Sequence, residues 1–412
     1  MQFQGIGKRQ RENAMKFDVE KAQLRNKQVD AFTNNFLAPL PFKVESVEDL
    51  KALRRAWLQR ESVPCLIESR NEAIDNSFPG LDIRTFLNGD NSSGRISAHD
   101  IIVAPGSGLP RHYQTEGELY LSVIEGEIEL TVGKLTQTSQ EGTFAFIPAH
   151  TTAAIENKSK APARFYMLSY PAGIDRAFAE AHARWVETGD KAAAPYLAIL
   201  GRFGFHFGVS APLPNDARTN MKAVRMEADI HSPDDFQAMR ENWGKRQPVP
   251  KLLHPAKVSD NSLTIDSDGG AGTTSGGVVF NGDETSGHAV MFAGEVGPHY
   301  SAFPHYQPNE EEMFYVVSGI FELICGSQKM QIRPGAFGFA PRWATHGFAN
   351  PQAQGTTRVI TVNSPAGHER GFEMIMRHQQ KPYADIVHQL RSHGWEVHDP
   401  KDAESLISPP AA

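Results

Sequence analysis

The chain has 412 residues with 41 Lys and Arg against 48 Asp and Glu, a net charge of −7, and 40% hydrophobic residues, 24 of them Phe. That length exceeds one ordinary core and predicts two domains or so. No long basic run occurs, so the phosphate-neutralising footprint of a nucleic-acid or membrane-surface protein is missing, and neither partner is expected. Only Cys65 and Cys325 are present, without metal spacing. Cys325, in FELIC, reads as a small buried hydrophobe and not as half of a disulfide. The N-terminal MQFQGIGKRQRENAMKFDVEK is polar where a signal peptide has an apolar core, and no window approaches eighteen apolar residues, so a cytoplasmic location is expected.

In chain order, residues 1–94 read as a helical or extended packing segment. Helical tendency runs to about Asn35 and breaks at Pro39 and Pro41. Ser46 and Asp49 then form a capping box before a helix with Leu50, Leu53 and Trp57 on one face. Residues 95–175 turn to short alternating strands with Gly and Pro turns, the pattern of a barrel or sandwich. A connector follows over 176–262. It opens with an amphipathic helix carrying Phe178, His182, Trp185 and Val186 and stopping at Gly189. From Leu197 to about Ala217, Phe and Gly mix without clear period, as a wrapped connector or a pocket wall. DGGAGTTSGG, from Asp268, lacks the ending of a phosphate loop and reads as a mobile turn. A second barrel occupies 263–368, and residues 369–412 form a tail with two helices parted at Pro382.

The two barrels are copies. HYQTEGELYLSVIEGEIEL, from His112, lies without a gap over HYQPNEEEMFYVVSGIFEL, from His305; PAGIDRAF, from Pro171, lies over PAGHERGF, from Pro365. A unit of this length is a duplicated domain and not a solenoid repeat.

In the second copy His305 and Gln307 alternate to one face of a strand, Glu312 sits on the next hydrophobic run, and His346 and Asn350 follow Pro334, Gly335 and Pro341. Two imidazoles, a carboxylate and an amide converging inside a barrel make a nitrogen and oxygen donor set for a metal, with Gln307 either a ligand or a group that orients a water. The first copy keeps His112 and Gln114 but has Leu119 and Ala153 where Glu312 and His346 stand. Glu118 and His150 are off register by one and three residues, and one residue turns a strand side chain to the other face. The first barrel is therefore expected to hold no metal. His299 precedes the motif register and reads as a rim residue.

These residues resemble the cupin superfamily, whose first motif has His-x-His, Glu and Gly at the spacings of His305, Glu312 and Gly319, and whose second matches Pro334, Gly335, Pro341, His346 and Asn350. Gln307 departs from it, standing where most metal-binding members carry a second His. The resemblance implies an all-β core of two cupin barrels (double-stranded β-helix, or jelly-roll) with peripheral helices. The two barrels and the PAG-x-(Asp/Glu)-Arg-x-Phe exits look most like quercetin 2,3-dioxygenase-type proteins. That implies a metal-dependent dioxygenase cleaving an aromatic, flavonol-like or enediol substrate with molecular oxygen. It also implies one divalent transition metal per chain, Fe(II) before Mn, Ni, Cu or Zn, held by His305, Gln307, Glu312 and His346. Glu312 is expected to accept the substrate's proton as the catalytic group, Trp343 and Phe348 to bind substrate, and the chain to pair as a homodimer. Three alternatives stand beside this reading: an isomerase, lyase or decarboxylase using the metal as a Lewis acid; a gentisate-type ring-cleaving dioxygenase, which resembles the family less well because a third His is expected at Gln307; and a ligand-binding protein without activity.

Overall fold

The computed structural model describes residues 36–212, 214–254, 262–266, 273–302, 304–326, 328–378 and 390–397. The helix Val47–Trp57 begins where the sequence placed it. Ser46 Oγ accepts from the Asp49 amide at 3.3 Å, and Asp49 Oδ2 accepts from the Ser46 hydroxyl and the Glu45 amide. Leu50, Leu53 and Trp57 are buried, and the Trp57 indole lies so close to Gly89 that a Cβ there would stand 2.5 Å from it. The same unit returns at the helix Pro233–Trp243, capped by Ser232, with Trp243 seated on Gly282 and Gly287. The duplication thus starts upstream of the strands that reveal it in sequence.

Each barrel is two sheets face to face. In the first, a seven-stranded sheet containing Leu81–Leu87, Ser97–Val103, Glu118–Glu125, Phe144–Ile147 and Ala163–Tyr170 covers a five-stranded sheet containing Gly108–Gln114, Glu127–Val132, Leu135–Gln140 and Ala153–Glu156. In the second, a seven-stranded sheet built around Val290–Val296, Glu311–Ser318 and Thr357–Ser364 covers a five-stranded one with His305–Tyr306, Phe321–Cys325, Gln328–Ile332 and His346–Ala349. The tight turn after Glu311–Ser318 needs Gly319 (φ 85°), where a Cβ would meet the Thr356 carbonyl oxygen at 2.8 Å. The all-β core of two jelly-roll barrels with peripheral helices is the fold expected from the motifs.

The barrels are joined through their seven-stranded sheets. Cys65–Ile67 pairs with Phe337–Ala340 of the second barrel, and Lys251–Leu253 pairs with Phe144–Ile147 of the first. Between the sheets Phe86 stacks on Phe337 at 5.5 Å and Tyr166 on Tyr315 at 4.4 Å. Asp100, fully buried, accepts from Arg70, Arg164 and the Tyr315 hydroxyl. Cross-barrel pairs Arg95 with Glu311 and His288 with Glu118 occupy equivalent places in the two copies.

Three stretches differ from their sequence reading. Ile74–Asp75 and Leu81–Leu87 belong to the first barrel's sheet, so that sheet starts before residue 95. Inside Leu197–Ala217, where no period was legible, the helix Ala193–Arg202 runs into the strand Phe205–Phe207, which pairs with Gly108–Gln114 and walls the first barrel. The tail is not only helical: after the helix His368–His378, the strand Glu396–Val397 pairs with His305–Tyr306. The expectations for residues 1–35, for the start of DGGAGTTSGG and for most of the second tail helix lie outside the described residues. Both cysteines are buried and neither is in a disulfide, and His182 bonds the Ser77 carbonyl from the helix Ile174–Thr188. No described helix is long and apolar enough to cross a membrane.

Because Trp57 and Trp243 are fully buried plugs between helix and barrel, replacing either with Ala is expected to cost about 3–5 kcal/mol in urea unfolding. Val186→Ala, at a 70% exposed site, is the control and should stay within about 0.5 kcal/mol of the parent.

Candidate metal centre

His305 and His346 are direct cross-strand partners with ring centroids 4.6 Å apart. Glu312 faces them from the opposite sheet. The three side chains are buried, and one donor atom from each lies within 4.8 Å of the others. His346 Nδ1 stands 2.9 Å from the Ala344 carbonyl oxygen, which only accepts, so that nitrogen carries the proton. Nε2 then faces Glu312 Oε2 at 2.9 Å. A ring lone pair against a carboxylate requires a shared proton or a cation between them.

Burial pushes the Glu312 carboxyl up, but the His346 hydrogen bond and the neighbouring His368, His346 and His305 outweigh it and bring its pKa to about 2. Gln307 turns its amide nitrogen towards two acceptors, Glu312 Oε2 at 3.2 Å and His305 Nε2 at 3.4 Å, with His368 Nδ1, which donates to Glu310, 3.3 Å away. Its Oε1 is buried with no hydrogen-bond partner. The Gln307 amide N–H groups thus point at the Glu312 carboxylate and the His305 ring nitrogen, and His305, Glu312 and His346 are of the kinds that first-row divalent metals take from proteins. The residues present fit a metal, with His305, Glu312 and His346 as the core of the set and Gln307 beside it.

The other predicted site residues divide. Phe348, two residues beyond His346 on the same strand, stacks on Phe321 at 5.3 Å and on Tyr300 at 5.8 Å, beside Phe314, whose ring meets His346 edge-on at 6.3 Å. Phe348 therefore lines the barrel interior near the donors. Trp343 donates its backbone N–H to the Gln307 carbonyl at 3.0 Å, while its ring stacks on Tyr306, which alternates with His305 to the other face of its strand. Asn350 is a turn clamp: its Nδ2 donates to the Val296 and Gly355 carbonyls, as Asn157 does to those of Val103 and Ala161.

Sequence reasoning missed Glu310, His368 and Trp395. His368 opens the helix after the PAG turn, contacts Glu310 Oε2 at 3.1 Å through Nδ1 and lies under the Trp395 ring at a centroid distance of 4.0 Å. The signal was present in PAGHERGF over PAGIDRAF, where His368 replaces Ile174.

In the first barrel Ala153 faces His112 across the strands as His346 faces His305, and Leu119 fills the place of Glu312. His112 donates Nδ1–H to the Pro110 carbonyl at 2.7 Å and packs against Phe205 and Phe207; its Nε2 has no partner. Glu118 points into the seam between barrels, held by Tyr120 and His288. The off-register reading of that residue is what its contacts show.

The family model described as the cupin domain matches residues 99–169 and again 292–363. No curated protein matches the chain. Solved structures similar in fold include Ylba from E. coli, 9% identical over 74% of this chain and 92% of that one with a TM-score of 0.45. Oxalate decarboxylase from Lactobacillus farciminis is 14% identical over 83% and 96%, also at 0.45. AerE from Microcystis aeruginosa is 12% identical over 74% and 97%, at 0.41.

The first barrel's deficit is two side chains. The pair Leu119→Glu and Ala153→His is expected to raise metal content from about one to about two per chain by elemental analysis, the donor types being those of the second barrel. Unchanged content in the folded double variant counts against the geometric reading.

Acid should weaken the fold through buried histidines. Burial alone takes His99 down from 6.5 to about 3. Burial, partly offset by the Pro110 carbonyl, takes His112 to about 4. Unfolded, both bind protons near 6.5, so the unfolded chain gains protons first as pH falls. Their stabilisation is complete above about 6.5 and declines towards pH 3–4, by about 1.4 kcal/mol per pH unit for each group. Urea midpoints at pH 7, 5.5 and 4.5 measure this, and His99→Gln should flatten the slope.

Proposed function

We propose that the second of the two cupin barrels is the active centre of a metal-dependent dioxygenase acting on an aromatic, flavonol-like or enediol substrate. The observation that supports this most is the buried set of two imidazoles and one carboxylate, His305, His346 and Glu312, converging on one point. Such a set leaves coordination positions open for substrate and oxygen. A divalent transition metal bound there, Fe(II) foremost, supplies oxygen activation and a seat for an enol or phenol oxygen.

The chain's own residues do the rest. His305 and His346 present ring nitrogens from one sheet, and Glu312 brings the single negative charge from the other. Phe314 and Phe348 make the adjoining wall apolar, which suits a flat, hydrophobic substrate better than a free sugar and keeps water from the donors. Glu312, at about 2 while His346 bonds it, is a weak base; it takes a proton from substrate only as that contact is given up.

A second reading, a Lewis-acid isomerase, lyase or decarboxylase, is favoured by one feature: Gln307, in place of an imidazole, can offer a metal only the harder oxygen of its amide. Oxygen use separates the two. Protein purified without chelator should carry about one transition metal per chain, and His346→Ala should lose it, because that variant leaves a carboxylate and one imidazole. With Fe(II), Mn(II), Ni(II) or Cu(II) restored, an oxygen electrode should register uptake on adding flavonols, catechols or enediols. Turnover under strict anaerobiosis would establish the Lewis-acid reading instead.

A further inference from the structure

The duplication supplies an internal control. Both copies fold the same way, so a polar group present only in the copy with the full donor set is not there to make the fold. Comparing register positions around the donors, Glu310 replaces Gly117, Asn363 replaces Ser169, and His368 replaces Ile174. Trp395, in the closing strand segment, replaces Phe205. The other three gather on the His368 imidazole. His368 Nδ1 lies 3.1 Å from Glu310 Oε2, 3.2 Å from Asn363 Nδ2 and 3.3 Å from Gln307 Nε2, with Trp395 stacked on its face.

Arg240 ties this group to the frame. In both copies the equivalent arginine, Arg54 or Arg240, donates to the carbonyl of the PAG alanine, at 2.8 Å to Ala172 or Ala366. Only Arg240 also pairs with a buried carboxylate, Glu310 Oε1. Such a pair carries a desolvation penalty, and the first copy, with Gly117 at the position of Glu310, has no such pair. Gly371, where the first copy has Ala177, leaves room for the indole: a Cβ there would stand 3.0 Å from it.

We propose that His368, anchored by Glu310 and Arg240 and clamped by Trp395, is a positioning residue that holds the Gln307 amide against the metal donors. The proposal rests on the reading of the second barrel as a metal site. Its physical basis is that the Gln307 amide, on a flexible stem, donates its N–H to Glu312 Oε2 and steadies that carboxylate only while its own rotation is held, and groups behind a ligand commonly change metal affinity 10–100-fold. Gln114, without such a neighbour, shows the alternative: its amide nitrogen is buried and unpartnered.

The test uses Co(II) alone, read by titration and by its ligand-field absorption, on the full chain. His368→Ile installs the residue that the first barrel carries at this helix start, and Glu310→Gln keeps shape if the first variant does not fold. His368→Ile is expected to bind one Co(II) about 10–100-fold more weakly, with a spectrum shifted as in Gln307→Ala. The double variant should be no weaker than the weaker single, since the two residues act in series. Parental affinity and spectrum in His368→Ile, additive losses in the double variant, or a Gln307→Ala indistinguishable from the parent would each overturn the proposal. A parent chain that takes up no Co(II) at all instead overturns the metal reading beneath it.

Discussion

A carboxylate taken out of water has to be answered by positive charge, and Glu312 is buried inside a barrel of apolar side chains. The cost of that burial is the largest influence on it, yet its pKa is drawn down to about 2. The balance comes from imidazoles held on the facing sheet and at a helix start. His346 reaches it from a strand of the facing sheet, its other nitrogen pinned by a carbonyl two residues away. Everything that fixes the distance between the two sheets also fixes this contact. The apolar core between them, with Phe314, Phe321 and Phe348, is the spacer for the site as well as the source of its dryness.

The first barrel shows what happens when that charge is absent. Leu119 and Ala153 pack in its place, and His112 is neutral. The barrel loses nothing in architecture. The same hairpin turns, the same Asn clamp and the same arginine on the PAG carbonyl recur. Donors and their supporting groups are thus separable from the fold, and the second copy retains a buried Arg240 and Glu310 pair that stability alone does not require.

Much of this was legible in the sequence because strand alternation and repeat spacing act locally. Ser46, Leu50, Leu53 and Trp57 gave their helix, and the His305, Glu312 and His346 spacing gave three side chains that do meet. The misses have physical reasons. Trp343 was expected to bind substrate as an aromatic of the barrel, but it sits in a turn with φ 69° and its ring stacks on Tyr306. Trp395 was out of reach of any local rule, since it is brought to His305 only when a short strand returns from beyond a helix. The stretch containing Phe205 and Phe207 hid its strand because three residues between glycines carry too little period to register. The Trp57 and Trp243 helices escaped the repeat because they conserve chemistry, a Ser cap, an apolar face, an Arg and a Trp, more than identity.

The three consecutive glutamates, Glu310 to Glu312, condense the logic of the molecule. Glu310, just before the strand, turns to Arg240 and His368 behind the donors. Glu311 alternates into the seam and meets Arg95 and Ser62 from the first copy. Glu312 alternates back into the barrel and meets His346. A one-residue slip of this strand would send the seam carboxylate into the site and the site carboxylate into the seam, each to partners at the wrong distance. Register here is therefore held from both faces at once. The first barrel shares the seam half of this constraint through Glu118 and His288 but lacks the site half, which is why its strand can carry Leu119 without disturbing the interface the two barrels have in common.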